Sequence, residues 1–151
     1  MATGRRLHEA LSGRRLTRLE YEHALPRLQD ALLDAQFTLG RSRRHAVVMI
    51  VTGIPAAGRS EVVNELLGWV DPKLATGYGF HAPNAVAHEG PTLWRYWRLL
   101  PPKGRIAILH GGWYQDLLLG AAGLGVKTES SPAQLRQGVA RVRQLEQMLV
   151  R

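Results

Sequence analysis

Apolar residues in the amino-terminal third of the chain recur at the three- and four-residue steps of an amphipathic helix. The stripe consists of Leu25, Leu28, Leu32, Ala35 and Leu39. This pattern predicts a helix over residues 17–39, in which Pro26 marks a kink or the first turn and Gly40 the end.

Three short apolar segments beyond this helix have the length and composition of β-strands. Residues 46–52, AVVMIVT, form an unbroken valine-rich run, which predicts a strand buried on both faces, as in a parallel sheet. Shorter segments at residues 76–80 and 105–109 predict two further strands.

Helical patterns alternate with these strands. They cover residues 60–70, 92–100 and 113–119, and a last helix begins at Ser131 and Pro132. The apolar faces of the first and last of these helices are predicted to contain Val62, Val63, Leu66 and Leu67, and Leu135, Val139, Val142, Leu145 and Leu149. The alternation predicts an α/β fold, with helices flanking a parallel sheet of about three strands. So small a sheet leaves an apolar edge, and we expect a longer polypeptide or a partner chain to cover it.

Composition narrows the class of partner. The chain has 151 residues, 45% of them hydrophobic, which suits one domain with a core. It contains no cysteine, which excludes disulfides and thiolate metal sites, and no apolar run of transmembrane length, so we expect a cytoplasmic protein. The net charge of +8 favours anionic partners such as nucleotides, polyphosphate or nucleic acid. Part of this charge lies in residues 1–16, which we interpret as a basic, flexible lead.

The turn between the first strand and the next helix has the pattern of a phosphate-binding loop. Residues 53–60, GIPAAGRS, match Gly-x-x-x-x-Gly-Lys-Ser/Thr at every fixed position except the lysine, which is replaced by Arg59. Backbone amides in such loops surround phosphate oxygens, and the helix that follows directs its amino terminus at them. The residues predicted to bind phosphate are Gly53, Ala57, Gly58, Arg59 and Ser60. The alternative is a tight strand-to-helix turn without a ligand.

The sequence gives little support for a magnesium site. In phosphate-loop enzymes an aspartate near the end of a neighbouring strand holds Mg²⁺ together with the loop hydroxyl. The corresponding position after RIAIL is His110, and Mg²⁺ prefers oxygen ligands. A base or a metal site formed by His110 with His81 and His88 is an alternative, but no recognised ligand spacing supports it. We interpret His110 as a strand-end residue at the rim of a cleft.

A second informative segment is TLWRYWRLLPPKGR, residues 92–105. Trp94 and Trp97 are three residues apart, so this helix is predicted to pack them on the sheet. Arg95, Arg98 and Lys103 are candidate secondary contacts for a polyanion. The alternatives are a core tryptophan helix with solvated arginines, or a surface for single-stranded nucleic acid, for which no recognition motif is present.

These segments together resemble the polyphosphate kinase 2 family, in particular the amino-terminal domain of two-domain polyphosphate:AMP phosphotransferases. The resemblance covers residues 21–151 and includes YEHALPRLQDALLDAQF, the loop region TGIPAAGRSEVVNELLGWVDP, and PTLWRYWRLLPPKGRIAILHGGWY. It implies a phosphate-loop α/β domain at residues 17–151, as part of a longer protein. It also implies transfer of phosphoryl groups from polyphosphate to nucleotides with Mg²⁺.

The sequence departs from the family pattern at its charged positions. The family loop resembles Gly-x-Asp-x-Ala-Gly-Lys-Gly, and the later strand ends in Asp-Arg-Ser-Trp-Tyr. Pro55, Arg59, His110 and Gly111 stand at the Asp, Lys, Asp and Arg positions, whereas Trp113 and Tyr114 match. We therefore expect a catalytically impaired domain with a structural or polyphosphate-binding role, joined to a second kinase domain or a second copy. The alternatives are an active polyphosphate-dependent kinase and a basic nucleic-acid-binding protein.

Overall fold

The centre of the fold is a three-stranded parallel sheet with the order β1-β3-β2. The strands are β1 (Val47–Val51), β2 (Ala75–Gly79) and β3 (Ile106–His110). The structure is a computed structural model that describes residues 16–54, 56–80, 93–123 and 131–150. The predicted flexible lead falls almost wholly outside these ranges. The parallel sheet and its three strands are confirmed.

The last strand in sequence is the central strand of the sheet. Ile106 to Leu109 are at most 4% exposed, whereas every residue of β1 is only partly buried. The side chains of β1 do pack against the core on both faces of the sheet, as predicted, but β1 lies at the edge and is only partly buried. A valine-rich run of this kind also suits an edge strand, because apolar composition does not say how many neighbours a strand has.

Five helices flank the sheet in the described part of the chain. They are α1 (Arg18–Ser42), α2 (Arg59–Trp69), α3 (Trp94–Trp97), α4 (Gln115–Ala121) and α5 (Pro132–Leu149). The first helix passes Gly40 and ends where Arg43 adopts a left-handed conformation with φ 48°. The predicted helix over residues 92–100 is a single turn. None of the described helices is both long enough and apolar enough to cross a membrane.

Side chains of β3 alternate between two apolar layers, as the pleat of a strand requires. Ile106 and Ile108 pack with Val63 of α2 and with partly buried leucines of α1. Ala107 and Leu109 face the other layer, which contains Tyr96, Trp113, Val142 and Leu145. The sheet is therefore covered on both faces, and β3 contacts both layers.

The predicted helix stripes are only partly correct. Val63, Val142 and Leu145 are buried, but Leu28, Val62, Leu67, Val139 and Leu149 are 36–56% exposed. The predicted helix start at Ser131 is confirmed, because its side chain accepts a hydrogen bond from the Gln134 amide.

The most buried residue of α1 is polar. Gln36 is 1% exposed and makes two hydrogen bonds to the backbone of Asp71, which follows α2. Its Nε2 donates to the Asp71 carbonyl at 3.0 Å, and its Oε1 accepts from the Asp71 amide at 2.8 Å. The side-chain amide of Gln36 thus provides the partner of the Asp71 amide, adds a bond to a carbonyl that also accepts from Leu74 and Ala75, and fixes α1 against the end of α2.

We expect Gln36→Ala to lower the free energy of unfolding by about 2–4 kcal/mol, because it leaves the partly buried Asp71 amide without its partner and opens a cavity. Urea denaturation measures this loss. Asp34→Ala, on an exposed position of the same helix, is the control and should change stability by less than about 0.5 kcal/mol. Equal effects of the two variants would contradict this role of Gln36.

Candidate functional site

The loop after β1 and the chain after β3 meet where the strands end, because parallel strands bring their carboxyl ends together. This carboxyl edge of the sheet is the edge meant below. Val51 pairs with His110 at this edge, and the Gly111 amide donates to the Val51 carbonyl at 2.8 Å. Residues that follow either strand are therefore neighbours. This edge contains all five residues that the sequence predicted as the phosphate site.

The described part of the loop has the backbone of a tight turn into a helix. The amide of Ala57 donates to the carbonyl of Ile54 at 3.3 Å, and Ala56 has a positive φ of 63°. Gly58, with φ 73°, precedes the first residue of α2 and is its N-cap. A glycine suits this position because it adopts a left-handed conformation without strain.

The five predicted residues differ in accessibility. Gly53, Gly58 and Arg59 are partly buried, whereas Ala57 and Ser60 are exposed. Since α2 begins at Arg59, its first backbone amides have no partner within the helix and can donate to an anion. The arrangement presents donors at the mouth of the loop.

Gln115 is the residue at this edge that sequence reasoning missed. It is 9% exposed, and its Nε2 donates to the carbonyl of Gly53 at 3.0 Å. Its Oε1 accepts from Thr52 Oγ1 at 2.7 Å, from Arg59 Nη1 at 2.8 Å and from the Gly53 amide at 3.4 Å. One amide thus connects β1, the loop and the start of α2. Only its position directly after Trp113 and Tyr114 could have drawn attention to it.

The Arg59 side chain lies across the loop. A Cβ added at Gly53 would be 3.6 Å from Arg59 Cδ, so the aliphatic part of Arg59 runs over this glycine towards Gln115. In the described part of the chain, no carboxylate lies within ion-pair distance of the guanidinium. Among the described side chains, therefore, none forms an ion pair with Arg59.

One acidic side chain lies closer to the loop than the sequence suggested. A Cβ added at Gly58 would be 3.9 Å from Glu61 Oε2, although Glu61 itself is exposed. Its position in the first turn of α2 is favourable for the helix dipole. Its negative charge would weaken the attraction of the loop for an anion.

His110 provides an unpaired polar atom at the same edge. It is the last residue of β3, and its Nε2 is buried without a hydrogen-bond partner. Its place in the strand alternation puts it on the same face as Ile106 and Ile108, towards α2. An unsatisfied buried polar atom costs about 1–3 kcal/mol, so a ligand that accepts a hydrogen bond here would relieve this cost.

The described residues do not fit a magnesium ion. No group of three histidine, aspartate or glutamate side chains converges in the described part of the chain. His110 offers nitrogen, whereas Mg²⁺ selects oxygen ligands, and Ser60 alone supplies a hydroxyl from the predicted loop residues. His81, His88 and Pro55 lie outside the described residues.

The chain directly after β3 has a backbone conformation that favours glycine. Gly111 has φ 108° and Gly112 has φ 90°, both in a region that residues with a side chain rarely adopt. A Cβ on Gly112 would lie 2.8 Å from Ile50 Cγ2. An arginine at position 111 would therefore be strained unless the backbone moved.

One of the three secondary basic residues, Arg95, lies near this end of the sheet, because Tyr96 Oη, which accepts from it, donates to the Gly112 carbonyl at 3.0 Å. Arg95 Nη2 donates to Tyr96 Oη at 2.5 Å, and its guanidinium lies 4.7 Å from the Tyr96 ring centroid. Lys103 is exposed in the turn that precedes β3, so it lies at the amino ends of the strands and the loop lies at their carboxyl ends. Arg98 is exposed beyond α3. In the described part of the chain, neither Lys103 nor Arg98 makes a hydrogen bond to the loop.

The tryptophans of α3 do not form the core. Tyr96 is 2% exposed, whereas Trp94 and Trp97 are 50% and 44% exposed, so the predicted packing of both tryptophans on the sheet was wrong. They line an open groove of about 370 Å³ with Leu93 and with residues of α5. The α5 residues are Arg141, Gln144, Leu145 and Met148. This groove contains no residue of the phosphate loop.

Trp113 and Tyr114 hold the last helix in place. Glu146 of α5 accepts a hydrogen bond from Trp113 Nε1 at 3.2 Å and from Tyr114 Oη at 2.5 Å. The hydrogen bond to this carboxylate, followed by burial and by the negative charge of Glu146, raises the pKa of Tyr114 above its usual 10.0. The pair thus has a structural role beside the candidate site.

The polyphosphate kinase 2 family model matches residues 15–151 of this chain. A polyphosphate:AMP phosphotransferase of Pseudomonas aeruginosa is 39% identical over 129 residues, which are 85% of this chain and 25% of that protein. An ADP-polyphosphate phosphotransferase of Rhodopseudomonas palustris is 35% identical over 101 residues, 66% of this chain and 35% of that protein.

Two solved structures of polyphosphate kinase 2 proteins are similar to this chain in fold. A crystal structure of polyphosphate kinase 2 from Pseudomonas aeruginosa has a TM-score of 0.77 and 37% identity, covering 91% of this chain and 29% of that chain. One from Arthrobacter aurescens has a TM-score of 0.75 at 20% identity, covering 91% and 49%, and supports the fold alone. The fold is therefore a P-loop NTPase-like parallel sheet flanked by helices, as predicted.

The chain belongs to the polyphosphate kinase 2 family. It spans about a quarter of the length of the polyphosphate:AMP phosphotransferases that it matches. Arg59, His110 and Gly111, where it departs from the charged pattern of the family, all lie at the edge that carries the loop.

We expect the stability of the protein to fall as pH rises above about 10, because a raised folded-state pKa stabilises the fold only while Tyr114 stays protonated. The contribution is complete below the unfolded pKa and is lost as pH rises through the folded pKa. Urea midpoints at pH 8 and in steps above pH 10 measure the loss. Tyr114→Phe should show a smaller alkaline loss than the wild type, and an equal loss in both would contradict the assignment.

Proposed function

We propose that this chain is a polyphosphate kinase 2 domain that binds phosphate chains at the 53–60 loop without magnesium and is catalytically impaired. Its role is that of a structural or polyphosphate-binding unit. The observation that carries the proposal is the state of Arg59: an uncharged amide holds its guanidinium at the loop, and no described carboxylate neutralises it. A positive charge of this kind needs no metal to attract phosphate.

Three further groups support phosphate binding at this edge. The first amides of α2 are free of helical partners, and Gly58 gives the loop the turn that exposes them. Arg59 has five N–H donors, of which the bond to Gln115 uses one. His110 Nε2 is buried and unpaired. The α2 amides and the remaining N–H groups of Arg59 can serve phosphate oxygens directly, whereas His110 Nε2 is enclosed and would need a local rearrangement to do so.

Two features support the loss of phosphoryl transfer. His110 replaces the oxygen ligand that the family resemblance implies, which removes the favourable donor for Mg²⁺. The positive φ angles of Gly111 and Gly112 show a backbone that is unsuited to the arginine of the family pattern. Positioned positive charges and metal ions supply most of the catalysis in phosphoryl transfer, so both losses act against turnover.

A partner is part of this proposal. The peptide groups of Val48 and Ile50 point away from β3, because Val47 and Val51 bond to it and alternate residues of a strand face opposite sides. In the described part of the chain nothing pairs with that side of β1. A second kinase domain or a second copy of this chain would cover this unpaired side of the strand β1.

We expect the wild-type chain to bind inorganic polyphosphate, and Arg59→Ala to weaken binding roughly ten- to a hundredfold, as for the loss of charge-assisted hydrogen bonds. Titration at fixed ionic strength measures the Kd, and addition of EDTA should leave it unchanged. Arg143→Ala, on an exposed position of α5, removes the same charge away from the loop and is the control. Equal binding by the wild type and Arg59→Ala would overturn the binding role.

We expect no formation of ATP or ADP from polyphosphate and the corresponding nucleotide above the background of Arg59→Ala, even with millimolar Mg²⁺. The alternative, a working polyphosphate-dependent kinase, is favoured by the 39% identity to a polyphosphate:AMP phosphotransferase. Turnover that requires Mg²⁺ and is abolished in Arg59→Ala would establish this alternative. It would also refute the proposed impairment.

A further inference from the structure

We propose that Gln115 is a positioning residue for anion binding: it fixes the orientation of the Arg59 guanidinium over the loop without neutralising its charge. This inference rests on the proposed function, since it concerns how the same loop holds phosphate. Gln115 lies 56 positions from Arg59 in sequence, and their side chains meet because β1 and β3 are neighbours in the sheet.

The contacts of Gln115 require an amide. Its Oε1 serves as acceptor for Thr52 Oγ1 and Arg59 Nη1, and its Nε2 is the donor for the Gly53 carbonyl. A carboxylate could accept the same bonds but could not donate to that carbonyl, and it would pair with the guanidinium. An apolar side chain would leave the donors of Thr52 and Arg59 without this acceptor.

The physical benefit is pre-organisation. A free arginine side chain loses much rotamer freedom when a ligand immobilises it, which weakens binding. Gln115 orders the guanidinium before the ligand arrives, and the aliphatic part of Arg59 passes over Gly53, with Cδ 3.6 Å from where a Cβ on this glycine would lie. The same amide also anchors Gly53, the first residue of the loop, so the loop and its cation keep one relative geometry.

The neutrality of the contact is equally important. In the described part of the chain no acidic side chain pairs with Arg59. An acid at position 115 would hold the guanidinium at least as firmly, yet it would cancel the charge that attracts phosphate. The two effects of Gln115, orientation and neutrality, are therefore separable by mutation.

Polyphosphate titration of the wild type, Gln115→Met, Arg59→Ala and the double variant tests the positioning role. We expect Gln115→Met, which is similar in length and volume, to raise the Kd roughly tenfold in the wild-type background, as for a lost hydrogen bond to a charged group. We expect no further change when it is combined with Arg59→Ala, because Gln115 acts through Arg59. A purely structural role would raise the Kd equally in both backgrounds, and that result would overturn the inference.

Gln115→Glu tests neutrality. We expect its Kd to approach that of Arg59→Ala, because the carboxylate keeps the acceptor bonds and cancels the charge, while loss of the bond to the Gly53 carbonyl lowers its thermal midpoint no more than in Gln115→Met. Gln137→Glu, on an exposed position of α5, adds the same charge elsewhere and should bind like the wild type. Wild-type affinity in both Gln115 variants would refute the inference alone, provided that Arg59→Ala still weakens binding. Equal binding by the wild type and Arg59→Ala would instead refute the proposed function, and the inference with it.

Discussion

The hydrogen bonding of β3 on both of its sides is the constraint on which the rest of this structure depends. This strand pairs with β1 and β2 and sends Ile106 and Ile108 into one apolar layer and Ala107 and Leu109 into the other. Its parallel register with β1 also sets where the two strands end. Because they end together, Gln115, which lies just beyond β3, reaches the loop that follows β1.

The charges that a phosphate-binding loop needs depend on whether its ligand contains a metal. A loop that binds a metal–phosphate complex needs carboxylates for the metal and a cation for the phosphate. Here the cation persists as Arg59, held by an amide, while His110 offers a nitrogen. In the proposed metal-free binding, an acid beside Arg59 would only reduce the positive potential of the loop. An uncharged acceptor is the better partner for a cation whose ligand is a bare anion.

Local features of the fold were predictable, whereas features set by contacts between distant segments were not. The turn that leads into α2 and the helix start at Ser131 follow from residue types at fixed short spacings, and the structure has both, whereas phosphate binding by the loop stays a prediction. Which strand lies at the centre depends on pairing between distant segments, so the edge position of β1 and the central position of β3 did not follow from their composition. Gln115 has no periodic pattern around it, and only the three-dimensional structure shows its contacts. Tyr96 took the core position predicted for the tryptophans, because a helix of one turn buries a single face.

Positions that match the family pattern have a different role in the structure from positions that depart from it. Trp113 and Tyr114 hold Glu146 of α5, and Trp113 packs edge-on against Tyr96 with ring centroids 5.8 Å apart. Loss of either would disturb the layer beneath α5 whether or not the protein has a substrate. His110, by contrast, carries no hydrogen bond through its buried Nε2, so the fold does not depend on that atom. Stability therefore constrains the aromatic pair, and only a ligand can constrain the chemistry of the residue at position 110.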